Sequence, residues 1–288
     1  MNRTAPNNLI STKVNRIIKK EFLSENVFRM EIEAPRIAQS RKAGHFVIIR
    51  ICEGGERIPL TIADADAERG AIALIVQIVG CTSAKLSKLN EGDFITDVVG
   101  PLGNATHVES VGTVLCAGGG VGIAPLFPIV QAFKRAGNRV ITVLAARSAG
   151  LLILEKEMAE FSDELVVMTD DGSKGRKGLV TEGMEEVLQR EKVHQAVVIG
   201  PAVMMKFAAA CTKKYDVPTM ASLNTIMVDG TGMCGACRCS VDGKTKFVCV
   251  DGPEFDAHQV NFDEMLQRLG AYKDEEHEAY QRYLETLK

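Results

Sequence analysis

A short cysteine-rich loop is the feature of this chain that most limits what it can fold into. Cys234 and Cys237 are separated by two residues, and Cys249 follows after a longer interval. The plant-type [2Fe–2S] pattern, C-x4-C-x2-C with a later fourth cysteine, has the same spacing for its last three ligands. Asp229 occupies the first ligand position, five residues before Cys234. The loop is therefore predicted to hold a [2Fe–2S] cluster with one carboxylate ligand, and a one-electron carrier implies a redox enzyme.

The residues of the loop leave other uses of its cysteines open. A dithiol pair is disfavoured because no thioredoxin-like unit surrounds the motif, and disulfides are disfavoured because no signal peptide is apparent. Cys239 competes with Asp229 as the fourth cluster ligand, since in an extended segment it shares a face with Cys237. C-x2-C is also common in zinc sites. The cysteines available to a structural Zn²⁺ are Cys234, Cys237, Cys239 and Cys249.

Composition limits the class of protein further. The chain has 288 residues, 46% of them hydrophobic, which suits two or three domains with sizeable cores. The formal net charge of −3 gives no indication of a nucleic-acid or membrane partner. No apolar run reaches membrane-spanning length, and the polar first residues contain no signal-peptide core. A cytoplasmic location is therefore expected.

The first third of the chain is predicted to form an antiparallel β-barrel. Residues 28–33 alternate apolar and polar side chains, as a half-buried strand does. Turn residues separate further short β-rich runs, and one short helix is predicted at residues 83–89. Several short strands of this kind are typical of a barrel. The predicted strands cover residues 28–33, 45–51, 59–63, 71–79 and 93–99.

The pattern changes near residue 105 to alternating strands and helices, which predict a doubly wound parallel sheet. Residues 218–223 are expected to add an edge strand, and one acidic helix is predicted over residues 262–287. The predicted fold class is thus β plus α/β: an N-terminal barrel, a parallel-sheet domain and a small C-terminal cluster module with a terminal helix. The predicted boundaries are 10–106, 107–222 and 223–288.

Three elements of the barrel suit a flavin. A basic residue and a hydroxyl on one strand, within residues 57–61, match the diphosphate and the isoalloxazine of FAD. Gly-Pro-Leu-Gly at residues 100–103 lets backbone N–H groups approach phosphate, and the loop at residues 80–86 opens a helix. An exposed arginine, a tight turn and an ordinary N-cap are the structural alternatives. The residues assigned to the flavin are Arg57, Pro59, Leu60, Thr61, Thr82, Ser83, Gly100 and Gly103.

A glycine run between the first parallel strand and its helix is the stronger nucleotide signal. Residues 118–125 read Gly-Gly-Gly-Val-Gly-Ile-Ala-Pro, which lets a pyrophosphate approach a helix N-terminus. The run is neither G-x-G-x-x-G nor a P-loop, and an ordinary glycine-rich turn is the alternative. Later strand ends add further ligand positions. The residues assigned to the nucleotide are Gly118, Gly119, Gly120, Gly122, Ile123, Ala124, Arg147, Asp170, Gly200, Pro201 and Met204.

These motifs, in this order, resemble the ferredoxin–NADP reductase superfamily. The C-terminal cluster loop makes the chain similar to electron-transfer subunits of dihydroorotate dehydrogenase. Asp229, together with Asp-Gly-Pro-Glu-Phe-Asp at residues 251–256, makes it more similar to the small subunits of NADH-dependent reduced ferredoxin:NADP oxidoreductases. These subunits belong to electron-bifurcating transhydrogenases and are related to sulfide dehydrogenase subunits.

The resemblance implies an oxidoreductase subunit with FAD in the barrel, NAD(H) in the parallel-sheet domain and the [2Fe–2S] cluster at the C-terminus. It also implies a large partner subunit with a second FAD, [4Fe–4S] clusters and the NADP(H) site, which links the complex to ferredoxin. The alternatives are a dihydroorotate dehydrogenase subunit, which Asp229 disfavours, and a sulfide dehydrogenase or polysulfide reductase subunit. The opposing class is a scaffold without working cofactors. The sequence does not choose between NAD and NADP.

Two positions depart from the superfamily pattern. Arg57 stands four residues before Thr61, where the superfamily spacing is three. Ile199 replaces the cysteine that usually precedes Gly-Pro in the nucleotide domain. The atoms that Arg57 contacts, and the hydride geometry near residue 199, are therefore not transferable from the superfamily.

Overall fold

An antiparallel sheet of six strands forms the N-terminal part of the chain. The structure is a computed structural model that describes residues 15–287, so the predicted barrel start at residue 10 lies outside it. The strands are β1 Ile17–Ser24, β2 Val27–Glu33, β3 Phe46–Arg50, β4 Arg57–Asp66, β5 Ala71–Gln77 and β6 Asp97–Leu102. Their order is β1-β2-β5-β4-β3-β6, and a bridge between Arg16 and Phe94 joins the two ends of this order. The expected barrel is confirmed.

Two short helices accompany these strands, whereas the sequence predicted one. They are α1 Pro35–Ser40 and α2 Cys81–Leu86. Helix α1 has only six residues, which is too short to show a helical period. The last strand also differs from its prediction at residues 93–99. It starts at Asp97 and runs through Gly100 and Pro101, because this Gly-Pro pair continues the strand and does not form a turn.

A second sheet of seven strands follows, with the order β10-β9-β8-β7-β11-β12-β15. All neighbouring strands in it are parallel except β12 and β15. Strands buried on both faces are typical of such sheets, and the central residues of β7 and β8 are buried throughout. The strands are β7 Thr113–Gly119, β8 Arg139–Ala146, β9 Glu164–Thr169, β10 Arg176–Lys177, β11 Gln195–Ile199, β12 Thr219–Ser222 and β15 Glu254–Asp256.

Four helices connect the parallel strands, as predicted. They are α3 Ile123–Arg135, α4 Glu155–Phe161, α5 Val180–Arg190 and α6 Ala202–Lys213. The prediction of an edge strand at residues 218–223 is half right. Strand β12 lies there, but it is not at the edge, because β15 pairs with it from outside. The predicted domain boundary after residue 222 thus falls between two strands of one sheet.

The C-terminal part adds a small hairpin and three helices. These elements are β13 Arg238–Val241, β14 Lys244–Phe247, α7 Val248–Asp251, α8 Phe262–Leu269 and α9 Lys273–Glu285. The single helix predicted over residues 262–287 is therefore two helices. Helix α8 ends at Leu269, directly before Gly270, which is a poor helix former, and α9 begins at Lys273. Every helix in residues 15–287 is too short or too polar to cross a bilayer.

The barrel and the parallel sheet share core contacts through strand β5. Ile72 and Leu74 face the barrel core, whereas Ile75 belongs to the same buried cluster as Phe127 and Val130 of α3. Successive side chains of a strand point to opposite faces, so β5 joins two cores at once. This packing fixes how the first sheet sits against the second.

A polar contact ties the end of the barrel to strand β15. Thr106 Oγ1 donates a hydrogen bond of 2.6 Å to Glu254 Oε1. Beside it, the backbone N–H of Asn104 donates to the carbonyl oxygen of Gly252 at 2.7 Å. Burial raises the pKa of Glu254, and the hydrogen bond from Thr106 opposes that shift. The carboxyl group therefore sits where the barrel, the parallel sheet and the cluster module meet.

We predict that Glu254→Gln changes the pH dependence of stability. A carboxyl group whose folded pKa is raised binds more protons in the folded state than in the unfolded state. The wild-type protein therefore loses stability relative to the variant as pH rises from the ordinary value of 4.5 through the folded pKa. Thermal unfolding midpoints of both proteins from pH 4 to pH 8 measure this difference. A constant difference across that range would contradict the prediction.

Candidate functional site

A large cleft of about 1810 Å³ lies between the barrel and the parallel sheet. Strands β4 and β5 and helix α2 line it from the barrel side. The carboxyl ends of β7, β8, β9 and β11 line it from the parallel-sheet side, and α9 also contributes. The carboxyl ends of strands in an open α/β sheet are the usual position for ligands. The volume of the cleft exceeds the roughly 300–1,000 Å³ of a site for one small molecule, so there is room for two dinucleotides.

The structure brings most of the predicted cofactor residues to this cleft, although they are far apart in sequence. Those that line it are Pro59, Leu60, Thr61, Thr82, Ser83, Gly119, Gly120, Gly122, Ala124, Arg147, Asp170, Gly200, Pro201 and Met204. The predicted residues that do not line it are Arg57, Gly100, Gly103, Gly118 and Ile123.

Arg57 is not among the residues that line the cleft, although its neighbours Glu56 and Ile58 are, and its assignment to the FAD diphosphate stays a prediction. Its Nε donates a hydrogen bond of 2.8 Å to the carbonyl oxygen of Val228. Val228 directly precedes Asp229, so the arginine contacts the segment that leads into the cluster loop. Side chains alternate along a strand, so a spacing of four residues before Thr61 places Arg57 on the opposite face from a spacing of three.

The other four residues outside the cleft have packing roles. A Cβ atom at Gly100, Gly103 or Gly118 would come within 3.0 Å of a neighbouring side chain, so these glycines permit close packing. Ile123 is fully buried in the core beneath α3. None of these four residues lines the cleft, and their assignment to phosphate or nucleotide stays a prediction.

Two glycines of the run after β7 differ in what they permit. Gly120 has a φ of +57° and no atom within 4 Å of a Cβ position, so its backbone favours glycine beside open space. A Cβ at Gly122 would lie 2.7 Å from the Gly200 Cα atom. Gly122 thus lets the turn after β7 pack against the turn after β11. A bulky substitution at Gly122 would test this packing, so it is a poor test of nucleotide binding.

The loop before α2 uses its hydroxyl groups locally. Ser83 Oγ accepts hydrogen bonds of 3.0 Å from the N–H groups of Val79 and Gly80, so it caps its own helix. The Thr82 hydroxyl donates to the carboxylate of Glu56. Glu56 also lines the cleft. Sequence reasoning missed it because a single acidic residue in a turn belongs to no motif.

Residues of opposite charge follow β8 and β9 at their carboxyl ends. Arg147 follows β8 and Asp170 follows β9, and both line the cleft. The nearby Lys174 is engaged elsewhere, since its Nζ lies 2.6 Å from Glu155 Oε2. A carboxylate at a strand end accepts hydrogen bonds from ribose hydroxyls, and an arginine binds phosphate. This wall of the cleft therefore suits a nucleotide.

Helix α9 is a part of the cleft that the sequence did not place. Lys273, His277 and Tyr280 recur at helical spacing and line the cleft. The helix packs on α2, where Lys85 Nζ lies 5.5 Å from the centroid of the Tyr283 ring. No residue of α9 is buried. Its polar surface therefore carries no apolar stripe from which its docking position could be predicted.

The cluster loop is shaped by the carboxylate of Asp229. Its Oδ1 accepts a hydrogen bond from the N–H of Thr231, and its Oδ2 accepts one from the N–H of Cys234, each at 2.8 Å. These bonds, the one from Thr231 above all, hold the pKa of Asp229 below its usual value. Gly230 and Gly232 have φ angles of +76° and +82°, which glycine adopts without strain. The loop therefore presents an ionised carboxylate.

Of the four predicted metal ligands, Cys237 and Cys249 have adjacent thiols, and Asp229 contacts the backbone of Cys234. Asp229 is joined to Cys234 by the hydrogen bond just described, and Cys237 Sγ lies 3.2 Å from Cys249 Sγ. Burial, then the hydrogen bond to Cys237, raises the pKa of Cys249 to about 12, and the charge of Asp229 adds to the shift. Thiols of this kind lose their protons when they bind metal. Within residues 15–287 no group of three or more His, Cys, Asp or Glu side chains is gathered as the site of a single metal ion. A [2Fe–2S] cluster has two irons and is held by such donor types at the spacing of this loop, so the assignment of all four ligands stays a prediction from that spacing.

Cys239 packs in the protein core. It lies on β13 and belongs to the buried cluster that contains Val241, Phe262 and Met265. Burial is the main reason that its pKa is raised to about 11. Cys237 and Cys249 are equally buried and belong to the same cluster, so burial alone does not separate Cys239 from the predicted ligands. Asp229 as the fourth ligand therefore stays a prediction from the spacing of the loop. All eight cysteines are free, so no disulfide competes for them.

Comparisons with known proteins agree with this layout. The model of the iron–sulfur cluster binding domain of dihydroorotate dehydrogenase B matches residues 224–261, and that of the oxidoreductase NAD-binding domain matches residues 117–210. A dihydroorotate dehydrogenase B (NAD(+)) electron transfer subunit homolog of Thermotoga maritima is 50% identical, over 96% of this chain and 97% of its own. The electron transfer subunit of Desulforamulus reducens is 32% identical, over 85% of this chain and 96% of its own.

A solved structure is also similar. A chain from the NADH-dependent reduced ferredoxin-NADP oxidoreductase, studied for flavin-based electron bifurcation, has a TM-score of 0.90 and 48% identity. The match covers 95% of this chain and 99% of that one. The ferredoxin reductase in carbazole 1,9a-dioxygenase, 17% identical with a TM-score of 0.60, shares the fold.

The fold, the cleft and the cluster loop together define an electron-transfer oxidoreductase subunit of the ferredoxin-reductase type. The chain belongs to the family of dihydroorotate dehydrogenase B electron transfer subunits and their homologues. The expected fold class, the expected resemblance and the expected cofactor set of FAD, a [2Fe–2S] cluster and NAD(H) are confirmed.

We predict that Asp229, and not Cys239, is needed to hold the cluster. Cys239→Ala should keep the iron content and the EPR spectrum of the reduced cluster. Alanine is a better test than serine, because an unpaired buried hydroxyl costs about 1–3 kcal/mol. Asp229→Cys should keep the cluster with a changed reduction potential, since thiolate is a softer donor than carboxylate. Cys237→Ala, the control, should lose the cluster.

The opposite pattern would identify the wrong ligand. It consists of a lost cluster in Cys239→Ala together with an unchanged EPR spectrum in Asp229→Ala. Iron and inorganic sulfide assays on the same samples measure the cluster, and the flavin absorbance reports on the fold. A variant that has lost only its cluster keeps the flavin absorbance, whereas an unfolded variant loses it too.

Proposed function

We propose that this chain is the small subunit of a NADH-dependent reduced ferredoxin:NADP oxidoreductase and passes electrons between NAD(H), FAD and its [2Fe–2S] cluster. FAD binds on the side of residues 10–106, NAD(H) on the side of residues 107–222, and the cluster within residues 223–288. The observation that carries the proposal is the Asp229-containing donor set next to the nucleotide cleft. The similarity to the solved chain from the NADH-dependent reduced ferredoxin-NADP oxidoreductase supports it.

A short stretch of chain connects the cleft with the cluster loop. Ser222 and Asn224 line the cleft, and Asp229 follows five residues after Asn224. FAD supplies the conversion between a two-electron hydride and single electrons. The contribution of the chain is to hold the nucleotides in the cleft and to hold the cluster ligands at the end of the same segment.

The resemblance implies a large partner subunit, and an exposed apolar rim around the cluster loop suits its attachment. Met233 is 89% exposed, Val228 is 44% exposed and Val250 is 42% exposed. Apolar side chains that face water around a functional centre are typical of interaction surfaces. On this proposal the partner carries a second FAD, [4Fe–4S] clusters and the NADP(H) site, and it links this chain to ferredoxin.

A dihydroorotate dehydrogenase subunit is the second candidate, because curated relatives carry that name. The carboxylate at position 229 stands where the usual cluster pattern has cysteine, which favours the bifurcating enzyme. A sulfide dehydrogenase or polysulfide reductase subunit is a third candidate. The partner subunit that purifies with the chain distinguishes the three, since each requires a different catalytic partner.

Anaerobic reduction by NADH tests the proposed electron path. We expect NADH to bleach the flavin absorbance and to produce the EPR signal of a reduced [2Fe–2S] cluster. In Cys237→Ala the bleaching should remain and the EPR signal should disappear, because the cleft and the cluster loop are separate sites. A purified protein that binds neither flavin nor iron would favour the scaffold class and would contradict the proposal.

We also predict that Asp170 contributes to NAD(H) binding. Its carboxylate lines the cleft at the end of β9, where it accepts hydrogen bonds from the adenosine ribose. Asp170→Ala should weaken NADH binding about tenfold, since hydrogen bonds to charged groups contribute about 1.5–3 kcal/mol. The loss should be smaller for NADPH, whose ribose phosphate the carboxylate repels.

Asp171→Ala is the matched control, because Asp171 does not line the cleft and accepts hydrogen bonds from Ser173. Fluorescence titration with both nucleotides measures the two affinities. Equal losses in the Asp170 and Asp171 variants would show that the loop, and not the carboxylate, matters.

A further inference from the structure

Arg57 is anchored at the cluster loop from the barrel side. It is the first residue of β4, and its Nε donates the hydrogen bond of 2.8 Å to the carbonyl oxygen of Val228. Val228 is the residue before Asp229, the first cluster ligand in the proposed set. The guanidinium group is therefore hydrogen-bonded to the peptide unit that joins Val228 to that residue.

The contact belongs to a packed junction between barrel and loop. A Cβ at Gly230 would lie 2.6 Å from Leu102 Cδ1 on β6 and 2.8 Å from Ile48 Cγ1 on β3. The loop thus approaches the barrel as closely as a glycine allows, one residue beyond Asp229. The hydrogen bond from Arg57 is made to the residue before Asp229, and the close approach to the barrel is made by the residue after it. Both contacts therefore hold the turn that contains Asp229.

Arg57 and its strand neighbour Arg50 differ in whether they form an ion pair. Arg50 lies opposite Arg57 in the β3–β4 ladder, and its Nε is 2.5 Å from a carboxylate oxygen of Asp97. Within residues 15–287 no carboxylate forms an ion pair with Arg57, and the adjacent Glu56 is bonded to Thr82. Arg57 therefore brings a cation that has no ion-pair partner within residues 15–287 to the segment leading into the cluster loop.

We propose that Arg57 is a positioning residue that raises the reduction potential of the [2Fe–2S] cluster. This inference rests on the proposed function, because it requires the cluster. One-electron reduction, with the electron supplied by the flavin, adds one negative charge to the cluster and moves no atoms. A nearby cation stabilises that added charge, and cluster potentials respond to net charge and hydrogen bonding around the ligands. The hydrogen bond to Val228 also fixes the peptide that leads into Asp229.

The sequence pattern assigned Arg57 to the FAD diphosphate, and the two roles predict different losses. An arginine that binds the diphosphate would reduce flavin content when it is replaced. An arginine at the cluster loop would change the cluster and leave flavin content intact. Arg57 does not line the cleft, so the second result is expected.

The experiment compares Arg57→Gln, Arg57→Lys and Arg50→Gln with wild type in the full-length protein loaded with its cofactors. Potentiometric titration monitored by EPR gives the cluster potential, and absorbance of released flavin gives the FAD content. In Arg57→Gln the ratio of reduced to oxidised cluster at a fixed potential should fall about tenfold, which is about 59 mV for a one-electron couple. Arg57→Lys keeps the charge and should recover most of the shift. Arg50→Gln should leave the potential unchanged.

The outcomes separate this inference from the proposed function. Two results overturn the inference and leave the proposed function standing. In one, the cluster has the same potential in Arg57→Gln as in the wild-type protein. In the other, Arg57→Gln loses FAD and its EPR spectrum is unchanged. Loss of the cluster in Arg57→Gln with FAD retained and rescue by lysine supports it. Loss of both cofactors without rescue by lysine overturns it. A wild-type protein without a cluster overturns both.

Discussion

The antiparallel pairing of β15 with β12 is the interaction on which the rest of this layout depends. It adds a strand from the cluster module to the sheet whose other strand ends form the nucleotide wall of the cleft. Ser222 pairs with Glu254 in this ladder and also lines the cleft. Backbone hydrogen bonds between the two strands therefore join the cluster module to the nucleotide wall. One sheet thus carries residues of both candidate sites.

The barrel is attached to the same sheet at two separate places. Strand β5 contributes apolar side chains to the core under α3, and Thr106 donates a hydrogen bond to Glu254 on β15. The first contact lies in the wall of the cleft on the barrel side, and the second lies close to the chain that leads from Cys249. An electron carrier needs fixed distances between its redox centres, and these contacts supply them without a covalent link.

The charges near the cofactors are arranged differently at the two sites. In the cleft, Arg147 and Asp170 stand at neighbouring strand ends and suit the phosphate and ribose parts of a dinucleotide. At the cluster loop, the carboxylate of Asp229 is balanced by backbone N–H groups, and Arg57 brings a positive charge from the barrel. A carboxylate ligand and an adjacent cation act in opposite directions on the charge around the cluster. The potential of such a centre is therefore set by parts of the chain that are distant in sequence.

The sequence by itself determined the elements and the ligands that are local. The predicted cluster ligands lie within residues 229–249, the glycine run lies between one strand and its helix, and the alternation of strands with helices identifies the parallel sheet. Only the tertiary structure decided which surfaces meet. It placed α9 on the cleft, put β15 outside β12, and bonded Arg57 to a carbonyl group 171 residues away. The physical reason is that periodicity and spacing reflect contacts between near neighbours, whereas these three contacts depend on how finished surfaces pack together.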